Sequence, residues 1–218
     1  MTTSLSSLPN AVIGGLGRPK DLAKRAAILL AAKELFLRLG YDGSSMDAIA
    51  AEAKVSKLTV YSHFNDKETL FAAAIQAHCI NHLPPSLFDL AEHASISDVL
   101  YGLATRFQQL INNQESIELH RLLVTLAVQN PEKTRLFYNA GPQRTLDEMA
   151  RLLKQANQQG KLDVPDCVMA AEYFLSAFTG CTQLRLILAI DEVEDRTACE
   201  RYVREVVQRF VRAYSVSD

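Results

Sequence analysis

Residues 44–70 read SSMDAIAAEAKVSKLTVYSHFNDKETL, and they contain two short segments with helical spacing of apolar residues. Ser44 or Ser45 precedes the first segment and Ser56 precedes the second, and serine is a preferred N-cap residue. The residues between the segments, 53–55, are too few for anything but a tight turn. The stretch therefore predicts two very short helices in immediate succession, followed by a longer third helix.

The second short helix, 57–64, has two different sides. Val60 and Phe64 lie four residues apart and are expected to face inward. The outward positions carry a cation, hydroxyl groups, a phenol and an imidazole, on Lys57, Thr59, Tyr61, Ser62 and His63. Side chains of these kinds hydrogen-bond to phosphates and base edges. Because a helix pair of this size has little use except to present its second member, we expect double-stranded DNA as the partner.

The same stretch resembles the helix-turn-helix of the tetracycline-repressor (TetR) family over roughly residues 22–75. The matching positions are Ile49-Ala50, Val55-Ser56, Tyr61-Ser62-His63-Phe64, Lys67-Glu68 and Leu70. By position, the resemblance implies that Thr59 lies near base edges, that phosphates are contacted by Ser45, Tyr61, His63 and Lys67, and that the sequence readers are Lys57, Leu58 and Ser62. Leu58 departs from the small residue usual in the family.

Two alternatives to a DNA-binding head stay open at this point. Short helix pairs with serine caps also occur inside all-helical proteins that never touch nucleic acid. An enzyme is the other alternative, although the sequence contains no nucleophile–base pair, phosphate-binding loop or metal cluster to support one.

Charge is distributed unevenly along the chain. The formal net charge is -2 over 218 residues, which argues against non-specific coating of DNA. From Arg18 to Leu70 there are nine basic and seven acidic residues, whereas the remainder has fourteen basic and eighteen acidic residues. This balance predicts a slightly basic head on an acidic body.

The rest of the sequence predicts an all-α fold without strands. We expect a flexible N-terminal arm at 1–20, a helix-turn-helix domain at 21–66, and a helical ligand-binding and dimerisation domain at 67–218. The first helix should run over 21–39 with Gly40 as its stop. The fourth should run over 67–83, and the later helices over 86–92, 96–111, 114–129, 132–139, 142–159, 166–190 and 195–214.

The C-terminal half resembles the AefR-like subgroup of the same family, through Asn130-Pro131, Leu136-Phe137-Tyr138, Ala140-Gly141-Pro142 and Gly160-Lys161-Leu162. The segment 166–190 is apolar around almost its whole circumference, so it must be buried on more than one side. The resemblance implies that the last two helices form a homodimer interface, with Gly180, Leu184, Leu188, Tyr202, Val206 and Phe210. The alternative is that this hairpin belongs to the core of one protomer.

A ligand pocket is expected inside the body. Its candidate lining residues are Phe107, Leu110, His120, Leu123, Phe137, Tyr138, Phe174 and Phe178, with Gln183 and Arg185 as further polar anchors. The ligand would be a small apolar or aromatic molecule that the sequence does not identify. Aromatic residues at helical spacing also form plain core, and that alternative stays open.

No cofactor and no catalytic residue is predicted. His78 and His82 have metal-ligand spacing but no third ligand in register, so no metal site is expected. The four cysteines form no CxxC pair, and no transmembrane run or signal peptide is found, which predicts a cytoplasmic protein away from membranes.

The sequence therefore predicts a homodimeric repressor that a ligand releases from a palindromic operator. A regulator without a small-molecule ligand, acting as an activator or as a redox sensor through Cys181 or Cys199, is the alternative.

Overall fold

The computed structural model describes residues 19–190 and 196–216, and all regular secondary structure in these residues is helical. The α-helices are α1 Pro19–Gly43, α2 Met46–Glu52, α3 Lys57–His63, α4 Lys67–His82, α5 Ile96–Asn112, α6 Gln114–Gln129, α7 Pro131–Ala140, α8 Pro142–Gln158, α9 Cys167–Ser176, α10 Cys181–Ile187 and α11 Arg196–Ala213. The predicted all-α class is confirmed. Of the predicted arm, residues 1–18 lie outside the described residues, and the last two residues begin α1.

The N-terminal head forms because apolar residues of four helices meet in one buried cluster. Ile28 of α1, Ile49 of α2, Val60 of α3 and Leu70 of α4 are all fully buried in it. At Gly40 the backbone leaves helical geometry with a φ of 75°, so the regular part of α1 ends where the sequence predicted. Burial of this apolar surface is the main stabilising contribution to so small a unit.

The body is built around a second cluster formed by α5, α8, α9 and α11. Leu103 and Phe174 are among its fully buried members, and the last helix contributes Val203, Val207 and Phe210. The two clusters are not isolated from each other, because Leu119, Leu123 and Leu126 of α6 and Phe137 of α7 pack into the head cluster. The body therefore rests directly on α1 and α4.

The predicted helix over 86–92 is wrong. A short 3-10 helix, Pro85–Phe88, is followed by a non-helical segment in which Leu90 turns into the core. Gln155 of α8 brackets Leu90, accepting from its N–H and donating to its carbonyl oxygen at 3.1 Å. These side-chain partners satisfy backbone groups that a helix would otherwise have paired.

The predicted single helix over 166–190 is also wrong, because it breaks into α9 and α10. Phe178 turns into the core between them, and Gly180 precedes α10 in a non-helical conformation with a ψ of -146°. The carbonyl oxygens at the end of α10 accept hydrogen bonds of 2.7 and 2.8 Å from the Arg121 guanidinium of α6. A separate short helix is thus stabilised by a partner distant in sequence.

Candidate DNA interface and ligand cavity

The turn between α2 and α3 is fixed by side-chain caps. Ser45 accepts a hydrogen bond from the N–H of Ala48, and Ser56 accepts one from the N–H of Thr59, each at 3.1 Å. Between them Lys54 adopts a left-handed backbone conformation with a φ of 54°, which closes the turn. The helix pair is therefore specified by residues within the pair itself.

The outer face of α3 is open to solvent. Leu58 is 80% exposed and Tyr61 is 42% exposed, whereas Val60 and Phe64 on the opposite side are buried as predicted. Lys57 and Ser62 are exposed, and Thr59 is half-buried. Lys57, Leu58, Tyr61 and Ser62 are thus available to a partner that approaches this face.

Polar groups on α3 are held in place by neighbours on α2 and α3. The ammonium of Lys57 lies 2.8 Å from the Asp47 carboxylate, and this hydrogen-bonded pairing raises the pKa of Lys57. The hydroxyl groups of Ser56 and Thr59 lie 2.8 Å apart, and Ser62 donates to the Thr59 carbonyl oxygen. Because this pair is exposed, we expect a phosphate to displace Asp47 from Lys57 at little cost.

His63 and Lys67, both predicted to contact phosphates, also make contacts inside the head. The His63 Nε2 atom lies 3.0 Å from a carboxylate oxygen of Asp21 on α1, within ion-pair distance but not aligned as a hydrogen bond. The Lys67 ammonium donates to the carbonyl oxygens of Tyr41 and Ser44, each at 3.0 Å, and lies over the Tyr41 ring. Since an ammonium has three donors, one remains for a phosphate.

Lys67→Met is therefore expected to lower the free energy of unfolding by about 1–3 kcal/mol, because the two carbonyl oxygens lose their donor. Lys57→Met, a substitution of an exposed lysine in the same head, is the control and is expected to leave the free energy of unfolding nearly unchanged. Urea unfolding followed by circular dichroism measures both. Equal effects of the two variants would contradict a structural role for Lys67.

The sequence does not point to Arg25 of α1, whose guanidinium lies 4.8 Å from the centre of the Phe64 ring. This cation–π contact joins α1 to the C-cap residue of α3. No local pattern pairs residues so far apart in sequence, so only the packed structure could reveal it.

A cavity of about 530 Å³, partly open to solvent, lies in the body between helices α4 to α10. This volume falls within the range of about 300–1,000 Å³ for small-molecule sites. Five of the candidate lining residues border it, namely Phe107, Leu110, His120, Phe137 and Tyr138, as does the predicted anchor Gln183. The structure brings these residues together from four helices.

Three candidate lining residues lie elsewhere. Leu123 packs into the head cluster, because α6 turns that side toward α1 and α4. Phe174 and Phe178 are buried in the body cluster, with their rings 5.6 Å apart and Phe174 also against Phe210. Arg185, the other predicted anchor, is not among the cavity residues and follows Gln183 on α10 at half-buried depth.

His78 connects the cavity to the head. This buried residue of α4 lines the cavity, and its Nε2 atom lies 3.0 Å from the Ser116 hydroxyl group. Its Nδ1 atom lies 3.5 Å from the Glu115 carboxylate, which accepts a hydrogen bond of 2.9 Å from Lys33 of α1. Helices α1, α4 and α6 are therefore linked by polar contacts at the edge of the cavity.

Burial lowers the pKa of His78 to about 4 from an ordinary value of 6.5, and the nearby His82 adds to this, whereas Glu115 opposes it. The unfolded chain therefore binds more protons between pH 6.5 and pH 4, so stability falls as the pH falls through this window. The difference between the two pKa values corresponds to a loss of up to about 3 kcal/mol in the free energy of unfolding.

We expect His78→Gln, which keeps hydrogen-bonding groups but does not titrate, to lose less stability than the native chain between pH 7 and pH 4.5. Urea unfolding across this range tests the expectation. Glu115, whose pKa the hydrogen bond from Lys33 lowers, is present in both proteins. Parallel stability curves for the two proteins would contradict the protonation of His78 on unfolding.

Two family models match the chain. One, of bacterial regulatory proteins of the tetR family, matches residues 28–74, and the other, an AefR-like transcriptional repressor C-terminal domain, matches residues 98–216. The second match alone covers more than half of the sequence. The chain belongs to the TetR family. The two resemblances predicted from sequence are therefore confirmed, and the chain is a DNA-binding transcriptional regulator, not an enzyme.

Individual TetR-family relatives match nearly the whole chain. The regulator YdeS of Bacillus subtilis is 28% identical over 88% of this chain and 89% of its own length. A crystal structure of a TetR-family regulator from Mesorhizobium loti covers 91% of this chain and 100% of its own, with a TM-score of 0.74 and 28% identity. The structure of the flavonoid-responsive regulator FrrA covers 89% of this chain and 98% of its own, with a TM-score of 0.69 and 30% identity.

The residues predicted for a TetR-type dimer interface fall into two groups in this chain. Leu184 and Leu188 are 54% and 59% exposed, and Gly180 and Tyr202 are exposed too. Val206 is half-buried and Phe210 is buried, and both pack against the body cluster of their own protomer. Only the first group is available to a second copy, because α11 turns its other side into the core.

Metal ligands, cysteines and membrane-spanning length are the other features that the sequence of this TetR-family chain raises. Within residues 19–190 and 196–216, no three His, Cys, Asp or Glu side chains are placed to hold a metal ion. None of the four cysteines forms a disulfide in the described residues, and burial raises the pKa of the Cys79 thiol to about 11. No helix in the described ranges is long and apolar enough to cross a membrane.

Proposed function

We propose that this TetR-family regulator is a homodimeric repressor that leaves a palindromic operator when a small apolar or aromatic molecule fills the cavity. The observation that carries the proposal is the cavity of about 530 Å³, because α4 both lines it and begins directly after α3. A ligand in the cavity therefore touches the helix on which the DNA-reading helix is mounted.

DNA is read by α3 and the residues around it. Tyr61, Lys57 and Ser62 lie on the exposed outer face, with Leu58 as a candidate contact for a thymine methyl group. Thr59 lies near base edges, and phosphates are held by Ser45, Tyr61, His63 and the free donor of Lys67. Two α3 helices related by a two-fold axis enter successive major grooves when they lie about 34–36 Å apart, so the operator is a palindrome.

Release follows from close packing between α4 and the cavity wall. Gly141, at the turn between α7 and α8, is buried so tightly that an added Cβ atom would lie 3.0 Å from the Cys79 sulfur of α4. Movement of this turn is therefore passed to α4. The Lys33–Glu115 ion pair passes movement of α6 to α1. A ligand shifts the equilibrium only by its difference in affinity for the two arrangements.

Two comparisons support the finer parts of the proposal. The C-terminal match is to a repressor domain, which supports repression. FrrA, at 30% identity over nearly its whole length, is described as flavonoid-responsive, which supports an aromatic ligand for this chain. The cavity itself favours a ligand-responsive regulator over one that acts without a small molecule.

Selection of bound sequences from a random DNA pool, followed by footprinting at a stated salt concentration, tests the DNA-binding part. We expect a palindrome with half-sites about one helical turn apart. Sedimentation of the protein–DNA complex then gives the number of protomers on each site. A selected sequence without two-fold symmetry, or one bound by a single protomer, would contradict the homodimer.

A further inference from the structure

The fixed charge on the described wall of the cavity is unfavourable to an anion. Of the described residues that line it, the one that is charged at neutral pH is Glu172, on the exposed side of α9, and its charge is negative. No lysine or arginine in the described part of the chain borders the cavity. An ionised carboxylate bound here would lose water without gaining a counter-charge, which is strongly unfavourable.

The buried histidine at the cavity, His78, does not supply that counter-charge. His78 is buried, and its lowered pKa keeps the ring neutral at pH 7. The Nδ1 atom of His120 lies 2.6 Å from the Ser116 carbonyl oxygen, which only accepts, so Nδ1 carries the proton. The Nε2 atom of His120 is then the ring nitrogen left to pair with a hydroxyl group of a ligand.

Gln183 supplies a second polar group on the wall. The residue is buried, with an exposed fraction of 6%, and its amide nitrogen has no hydrogen-bond partner in the described residues. A buried amide without a partner is unfavourable by about 1–3 kcal/mol. Rotation about its last side-chain bond turns either the N–H or the carbonyl oxygen toward the cavity, so a ligand can satisfy it with a hydroxyl or carbonyl group.

We infer that the cavity binds uncharged, mainly apolar molecules that carry a hydroxyl or carbonyl group for Gln183 and His120, and that it rejects carboxylates. The inference rests on the proposed function in treating this cavity as the effector site. The aromatic and aliphatic wall, with Phe107, Leu110 and Phe137, accommodates the apolar part of the ligand. Selection by charge is thus built into the wall through the absence of a cation from the described lining.

Calorimetric titration of the full chain at pH 7 with matched probe pairs tests the inference. The probes are 2-naphthol against 2-naphthoate, and biphenyl-4-ol against biphenyl-4-carboxylate, because each pair shares its apolar body and differs in charge. We expect each phenol to bind at least about tenfold more tightly than its carboxylate. Equal or tighter binding of the carboxylates, or binding of neither class, would overturn the inference.

Variants tie the binding to the named residues. Gln183→Leu is expected to lower the affinity for the phenols about tenfold. Thr179→Val, at an exposed polar lining position, is expected to leave that affinity unchanged. Glu172→Gln is expected to raise the affinity for the carboxylates and to leave the affinity for the phenols unchanged. Phenol binding unaffected by Gln183→Leu would remove the assigned partner and contradict the inference.

The same probes separate this inference from the proposed function when operator binding is followed by fluorescence anisotropy. Phenols that bind the chain without releasing DNA would support the ligand class and contradict ligand-driven release. Carboxylates that bind the chain and cause it to release DNA would support the proposed function and overturn the inferred ligand class.

Discussion

Tyr61→Ala is expected to lower operator affinity by about 100-fold, while helix content and self-association stay unchanged. The side chain is 42% exposed on α3, so its loss costs the head little packing. If its ring and hydroxyl group contact a phosphate, each half-site loses about 1–1.5 kcal/mol, and a dimer carries the change twice. Fluorescence anisotropy with the selected operator at fixed salt measures the effect.

Tyr138→Ala is the matched control for this change, because Tyr138 is 48% exposed but lies on α7 and not on the DNA-reading helix α3. Measured without ligand, it is expected to leave operator affinity within about twofold of the native chain. Tyr61→Phe separates the hydroxyl group from the ring, and a phosphate contact predicts an effect close to that of Tyr61→Ala. If Tyr61→Ala bound the operator with native affinity, the assignment of α3 as the DNA-binding helix would be wrong.

The head could be predicted from the sequence because its structure is specified locally. Ser45 and Ser56 cap helices that begin at the next residue, and Val60 and Phe64 face inward by helical spacing alone. Capping and periodicity act within a few residues, so a linear sequence displays both. The family resemblance rests on the same short-range signals.

Contacts between distant residues could not be predicted in this way. Lys67 donates to carbonyl oxygens 23 and 26 residues away, and Lys33 pairs with Glu115 at a separation of 82. The break between α9 and α10 likewise depends on Arg121, more than 60 residues earlier. The apolar pattern predicts that Phe174 is buried, but it does not predict whether Phe174 packs in a core or lines a cavity.

The double variant Leu184→Glu, Leu188→Glu is expected to make the chain monomeric and to weaken operator binding at least about 100-fold. Both leucines are more than half exposed in the protomer, and burial against a second copy is the simplest use for such an apolar face. The four introduced carboxylates would face one another across a two-fold axis and repel. A monomer also loses the effective concentration that joins two half-sites, which is worth about 100-fold or more.

The control for this double variant is Val128→Glu, because Val128 on α6 is 86% exposed yet lies outside the proposed interface. Charge on that surface is expected to leave both the dimer and operator affinity unchanged. Sedimentation velocity gives the oligomeric state, and circular dichroism checks that α10 is retained. A dimeric double variant would place the interface elsewhere, and a monomer that still bound the operator normally would show that reading DNA does not require two copies.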